Sequence, residues 1–133
     1  MNKLQHRERR TILVIDDDHS FSRSVYNVLT SMHVEVHRAR SAQQAIELLD
    51  DLKPDLVLID MVLPDVSGLA LLRRLRASED HKRVPVLMTS AFVMAGDRRE
   101  AIGAGANEFL PKPFSITDLE TAAAPLLGQG FMA

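Results

Sequence analysis

Carboxylates close two of the apolar runs in this chain. Asp16-Asp17-Asp18 follows Ile12-Leu13-Val14-Ile15, and Asp60 follows Leu56-Val57-Leu58-Ile59. Thr89-Ser90 closes a third run, and Lys112 stands just beyond Phe109-Leu110-Pro111. Carboxylates packed together repel one another and raise their own pKa values unless a positive charge neutralises them. A hard divalent cation does this, and Mg²⁺ prefers oxygen ligands while retaining several waters. That cation, with the Lys112 ammonium on the other side, would also neutralise an arriving phosphoryl group. One carboxylate is then free to act as nucleophile, as aspartyl-phosphate chemistry requires. The Ser90 hydroxyl is a donor for a phosphoryl oxygen. The phosphoryl group itself must come from outside, because no GxxxxGK[ST] loop is present to hold a nucleotide. Taken singly, Asp and Ser after a strand also serve as helix caps and turn formers. Their recurrence at corresponding ends of several runs argues for a site.

Groups this far apart in sequence meet only if the runs that carry them are neighbouring strands. Apolar or alternating segments at 11–15, 34–38, 56–59, 84–88 and 107–110 read as five strands. The first, third and fourth are apolar nearly throughout, as strands buried on both faces should be. The second alternates Val34 and Val36 with Glu35 and His37, which suits an edge. Between the strands, residues 20–32 place Phe21, Val25, Val28, Leu29 and Met32 on one helical stripe. Ser41 caps a helix over 42–52 that turns Ala45, Ile46, Leu48 and Leu49 inward, and Lys53-Pro54-Asp55 ends it. The helix over 68–77 turns Leu69, Leu72 and Leu75 inward and Arg73, Arg74 and Arg76 mostly outward. Residues 97–103 make a weak helix among Gly96, Gly103 and Gly105. Ser115 caps the last helix, 116–127, whose Pro125 is expected to fray or bend it. Five strands alternating with five helices predict an α/β fold, a parallel sheet covered on both faces by right-handed crossovers. Ligands of such folds sit outside the carboxyl ends of the strands, where the acidic and hydroxyl groups stand.

At 133 residues the chain fits one domain. Its 46% hydrophobic and 26% charged content is that of a soluble globular protein, and no apolar run approaches the ~20 residues of a membrane helix. The opening MNKLQHRERR lacks an apolar stretch and is not a secretory signal. Absence of cysteine excludes disulfides and thiolate metal sites and is compatible with a reducing cytoplasm. A net charge of −2 gives no bias toward nucleic acid or membrane. Residues 1–10, with Lys3, Arg7, Arg9 and Arg10 against Glu8, read as a flexible basic tail, with a partner-binding arm as the alternative. Residues 11–127 form the domain and 128–133 a C-terminal tail. The five histidines show no metal-ligand spacing, and His19 reads as a neutral surface residue.

The segments Ile12-Leu13-Val14-Ile15-Asp16-Asp17, Pro54-Asp55-Leu56-Val57-Leu58-Ile59-Asp60, Leu63-Pro64-Asp65-Val66-Ser67-Gly68, Val84-Pro85-Val86-Leu87-Met88-Thr89-Ser90-Ala91 and Lys112-Pro113-Phe114 resemble the motifs of bacterial response-regulator receiver domains. The resemblance runs from about Thr11 to Leu127, and all the motifs occur in order. It implies a flavodoxin-like, doubly wound five-stranded parallel sheet of order 2-1-3-4-5 with five helices on both faces. It implies Asp60 as phosphoacceptor, and Asp16, Asp17, Asp60 and the backbone carbonyl of Val62 as ligands of Mg²⁺ or Mn²⁺. Ser90 becomes the switch hydroxyl, Lys112 the phosphoryl-pairing cation, and Phe109 the aromatic that turns inward with the switch, or simply a buried strand residue. In this register Asp18 falls outside the metal pair and is left exposed or as a helix cap.

The function implied is a two-component signalling switch, not a turnover enzyme. It takes its phosphoryl group from a histidine kinase or histidine phosphotransfer protein and signals by protein contact, in the cytoplasm. The output is a separate protein or an effector domain outside this chain, which is either a single-domain regulator or a receiver cut from a longer protein. Direct binding to nucleic acid or membrane is not expected, and the state expected is a monomer or a weak phosphorylation-dependent dimer. A Mg²⁺-dependent phosphohydrolase with an aspartyl-phosphate intermediate is the alternative, but Val62 stands where the second acid of its DxD motif belongs. A flavin-binding protein of similar topology is a third possibility, but this chain has no Ser/Thr/Gly-rich phosphate loop after the first strand and carries an acidic cluster where the phosphate would sit. Val62 and Phe92, two residues after the acceptor and the switch, are apolar where many relatives carry polar groups, which predicts slow hydrolysis of the phosphoryl group. Met94, Ala95 and Ala101 are candidate apolar contacts on the face expected to be remodelled. Asn107-Glu108 and a last helix without basic residues disfavour dimerisation through it.

Overall fold

A computed structural model describes residues 9–91 and 94–128. Five strands, β1 (Thr11–Ile15), β2 (Glu35–Ala39), β3 (Leu56–Asp60), β4 (Val86–Ser90) and β5 (Glu108–Pro111), alternate with five helices. The helices are α1 (His19–Thr30), α2 (Ala42–Leu52), α3 (Gly68–Ala77), α4 (Asp97–Gly103) and α5 (Ile116–Leu127). All strand pairings are parallel and the spatial order is β2-β1-β3-β4-β5, as the resemblance implies. The alternating strand is β2, and it lies at the edge.

The two-residue period of the strands divides the core in two. Leu13, Ile15, Val57, Ile59, Val86, Met88 and Phe109 point to one face, where Ala45 and Leu49 of α2, Leu72 and Leu75 of α3 and Ala101 of α4 cover them. Ile12, Val14, Leu56, Leu58 and Leu87 point to the other, against Val25 and Leu29 of α1 and Leu119, Ala123 and Leu127 of α5. Strands apolar at every position are needed because both faces are buried, and each fully enclosed Leu or Ile contributes on the order of 2 kcal/mol.

Several details depart from the expectation. Strand β4 starts at Val86 rather than at Val84, because Pro85 has no N–H to give a ladder; its carbonyl still accepts from Val57 N–H at 2.9 Å. Strands β3 and β5 each reach one residue further toward the carboxyl edge, to Asp60 and Pro111, while β2 is shifted to 35–39. Helix α1 begins at His19 and ends at Thr30. Helix α5 spans Ile116–Leu127 as expected, with Pro125 inside it and Gly128 N–H on Ala124 O at 3.2 Å. Arg76, read as outward, instead turns back under the sheet. Its guanidinium donates to the carbonyls of Val84 at 2.7 Å and Gly105 at 2.9 Å and to Asn107 Oδ1 at 3.1 Å, tying the starts of β4 and β5 to α3. Ala101, read as a surface contact, is fully buried against the sheet, whereas Met94 and Ala95 are exposed. Among the described residues no helix is long and apolar enough to cross a membrane. Phe92 and most of the basic N-terminal segment lie outside the described residues.

Candidate functional site

The carboxyl edge of the sheet gathers the groups singled out in the sequence. Backbone hydrogen bonds carry the strand register into the loops there. Asp16 N–H donates to Ala39 O at 3.0 Å, Met61 N–H to Thr89 O at 2.8 Å and Lys112 N–H to Ser90 O at 2.8 Å. The residue just past each strand is thus held as firmly as the strand itself. Asp16 and Asp60 are almost wholly buried, at 2% and 7% exposure, while Asp17 is exposed. One oxygen from each of the three lies within 4.8 Å of the others, close enough to bind one cation. An all-carboxylate set of this kind suits a hard divalent ion.

Lys112 Nζ spans the two buried acids, 2.6 Å from Asp16 Oδ2 and 3.0 Å from Asp60 Oδ2. The remaining oxygens are also occupied. Asp18 N–H donates to Asp16 Oδ1 at 2.8 Å, and Val62 N–H donates to Asp60 Oδ1 at 3.0 Å. Burial dominates the acidity of Asp16 and pushes it up to about 6; Lys112 and the Asp18 N–H pull it down, and the charge of Asp60 pushes it further up. Burial works against the charge of Lys112 as well, but its hydrogen bonds to Asp16 and Asp60 outweigh that and hold the ammonium above its ordinary pKa. The site therefore resists losing its one buried cation.

Two further devices aim the loop after β3. Asp65 accepts from Ala42 N–H at 3.0 Å and Gln43 N–H at 2.9 Å, occupying two free donors at the start of α2. Those bonds, Gln43 first, hold its carboxyl below the ordinary range. Gly68 begins α3 with its N–H on Met61 O at 2.8 Å, so close to β3 that a β-carbon there would stand 2.1 Å from Asp60 O. Both residues lie in the Leu63–Gly68 motif, but the pattern alone assigned them no contact.

Ser90 ends β4 at 2% exposure, beside Thr89 at 1%. Phe109 on β5 is buried at 3% and packs in the core with Met88 and Ala101. Asp18 caps α1, accepting from Phe21 N–H at 3.1 Å, and stands apart from the three-carboxylate group. Exposed His19 accepts from the Arg38 guanidinium at 3.0 Å through Nδ1, so it is no part of the cluster. One contact was missed. Phe21, placed in the sequence on the helical stripe of α1, lays its ring 4.0 Å from Lys112 Nζ. Its position in the first turn after the acidic end of β1 was the available signal.

The family model of the response regulator receiver domain matches residues 12–124. The chain belongs to the response-regulator receiver family. The receiver is 33% identical over 116 residues to response regulator MprA of Mycolicibacterium vanbaalenii, covering 87% of this chain and 49% of that protein. It is 34% identical over 110 residues to the phosphate regulon transcriptional regulatory protein PhoB of Pseudomonas aeruginosa, covering 83% and 48%. The chain therefore spans about half the length of these relatives. The polar-differentiation response regulator DivK of Brucella ovis is 29% identical over 107 residues, which cover 80% of this chain and 87% of DivK. Among solved structures, the non-phosphorylated HemR receiver domain of Leptospira biflexa superposes with a TM-score of 0.82 at 28% identity, covering 90% of this chain and 95% of that one. A CheY-like receiver domain protein of Methanospirillum hungatei superposes with a TM-score of 0.78 at 27% identity, covering 89% and 94%.

Proposed function

We propose that this receiver is a phosphorylation-operated switch with Asp60 as its acceptor. The observation that carries the reading is the setting of the Asp60 carboxylate. It is buried, held by Lys112 and by Val62 N–H, and within 4.8 Å of oxygens from Asp16 and Asp17. In the transfer, an Asp60 oxygen attacks phosphorus in the phosphohistidine of a histidine kinase or phosphotransfer protein. The P–N bond breaks, and the imidazole leaves and takes up a proton. Asp16, Asp17, Asp60 and the Val62 carbonyl would hold Mg²⁺ or Mn²⁺, which supplies charge neutralisation for the phosphoryl oxygens. Lys112 sits where it neutralises the same oxygens from the other side.

Ser90, at the end of the neighbouring strand, donates its hydroxyl to a phosphoryl oxygen on Asp60. Phosphorylation then biases an equilibrium between two packings of the face made by α4, β5 and α5, with Phe109 as the aromatic that follows Ser90. The short α4 borders Gly96 and Gly105 and leaves most of its residues exposed, the low-stability character expected of an element that moves. The signal passes by protein contact in the cytoplasm, from a monomer or a weak phosphorylation-dependent dimer, to an output protein or an effector domain in the same polypeptide. The phosphohydrolase reading gains nothing from the geometry, since Val62 occupies the place of its second acid.

The test is incubation with acetyl phosphate and Mg²⁺ followed by intact mass. One added phosphoryl group in the wild type, and none in Asp60→Asn, is the expected result. Labelling that survives in Asp60→Asn, or repeated turnover of the donor without a labelled protein, refutes the reading.

A further inference from the structure

Lys112 has three donor hydrogens. Two of them face Asp16 and Asp60. The remaining side of the ammonium meets the ring of Phe21, with Nζ 4.0 Å from its centroid. The ring is itself fixed from outside: Phe114, two residues beyond Lys112, packs edge-on against it with centroids 5.5 Å apart and planes at 88°. Helix α1 thus supplies a face and the segment after β5 supplies both the cation and a brace. Phe21 is half-buried, and the lysine side chain behind it is only 11% exposed.

We infer that Phe21 is a positioning residue for the phosphoryl-transfer reaction, holding the Lys112 ammonium beside Asp60 through the face of its ring. The inference rests on Asp60 being the acceptor. Its physical basis is that a ring face attracts an ammonium, and more so where water is excluded. Asp16 and Asp60 are also candidate metal ligands, so Lys112 shares both of its carboxylate partners with a cation. The face of Phe21 is a partner it shares with none. Without that face the long, flexible lysine stem has no fixed contact left once its carboxylates are otherwise engaged, and the reaction must then order the ammonium anew. A plain packing role for Phe21 would need only apolar volume, and leucine supplies that.

The experiment therefore compares Phe21→Leu with Phe21→Tyr, which keeps the aromatic face. The first readout is the rate of Asp60 labelling by acetyl phosphate with Mg²⁺. Phe21→Leu should be slower by about two- to thirtyfold, the range a cation–π contact spans, while Phe21→Tyr stays near the wild-type rate. The second readout needs no donor or metal: the Lys112 ε-methylene protons should resonate upfield of those of the other lysines in wild type and Phe21→Tyr, and return to the ordinary position in Phe21→Leu. Equal labelling rates for Phe21→Leu and wild type, or a tyrosine variant as slow as the leucine one, overturn the positioning role alone. Lys112 protons without an upfield shift in the wild type overturn it too. A wild type that takes no phosphoryl group overturns the acceptor reading and this inference together.

Discussion

Replacing Gly68 with alanine should displace Asp60, the proposed acceptor, without touching any polar side chain of the site. A β-carbon at Gly68 would stand 2.1 Å from Asp60 O, 2.8 Å from Met61 Cα and 2.9 Å from the Asp60 carbonyl carbon. A carbon and an oxygen settle near 3.3 Å, so α3 and β3 must part by about 1.2 Å at this point. The atoms in the way are backbone, which cannot rotate aside as a side chain would. Overpacking of this kind costs about 2–3 kcal/mol, and the ~1 kcal/mol that alanine gains over glycine in a helix offsets only part of it. The net loss should lower the urea midpoint by roughly 1 M.

The displaced carbonyl belongs to Asp60, the proposed acceptor, whose side-chain oxygens sit 3.0 Å from Lys112 Nζ and from Val62 N. Misplacing a reacting group by about 1 Å can cost on the order of a hundredfold in rate, so labelling by acetyl phosphate should fall by at least tenfold in Gly68→Ala. Gly103→Ala is the control. It ends α4 with nothing within 4 Å of an added β-carbon, and should leave labelling intact and raise stability by about 0.5 kcal/mol. If Gly68→Ala kept the wild-type urea midpoint and labelling rate, the close approach of α3 to the acceptor would not be a constraint, and the reasoning would fail.

Asp16, pushed up to about 6 from an ordinary 3.8, binds its proton more tightly in the folded protein than in the unfolded chain. Its contribution to stability is therefore full below the unfolded value and is lost as pH rises through about 6. Without divalent cation, the stability of wild type relative to Asp16→Asn should be greater at pH 5 than at pH 7.5; urea titrations at the two pH values check this, and the opposite slope refutes it. Arg76→Met strands the carbonyls of Val84 and Gly105, while Asn107 Oδ1 keeps the Val86 N–H at 2.9 Å, and should cost about 2–3 kcal/mol in urea unfolding while leaving the labelling site intact. Val62 is 60% exposed beside the acceptor and offers no hydrogen bond to an attacking water. Val62→Asn should therefore shorten the lifetime of phosphorylated Asp60 severalfold; an unchanged or longer lifetime in a decay assay would sink the idea.

What the sequence revealed follows from which interactions leave a mark in it. The sheet was legible because strands buried on both faces must be apolar at every position, and the edge strand betrays itself by alternating Val34 and Val36 with Glu35 and His37. The site was legible because its charges recur at strand ends, where a parallel α/β sheet places ligands. Arg76 was misread because its partners are mostly backbone carbonyls, which every residue carries, so no complementary acid marks the destination of its guanidinium. Ala101 was misread because a small apolar residue in a short, glycine-flanked helix has too weak a periodicity to fix its face. Phe21 was assigned to the core stripe because an aromatic beside a core and an aromatic facing an ammonium look the same in one dimension; only the meeting of α1 with the segment after β5 separates them.

Sequence and geometry constrain each other most closely at the charges of this cluster. The sequence requires a positive charge among the carboxylates, and Lys112 supplies one, bridging Asp16 and Asp60. One ammonium facing Asp16, Asp17 and Asp60 still leaves the cluster negative. Burial raises the pKa of Asp16, so protonation there relieves part of that charge as the pH falls. A divalent cation of the kind proposed would neutralise the remaining charge, and one oxygen from each of the three acids lies within 4.8 Å of the others. Such a cation would share Asp16 with Lys112. Under the proposed function, cation binding and the placement of Lys112 are thus linked through a single carboxylate, and the affinity for Mg²⁺ should change when Lys112 is removed.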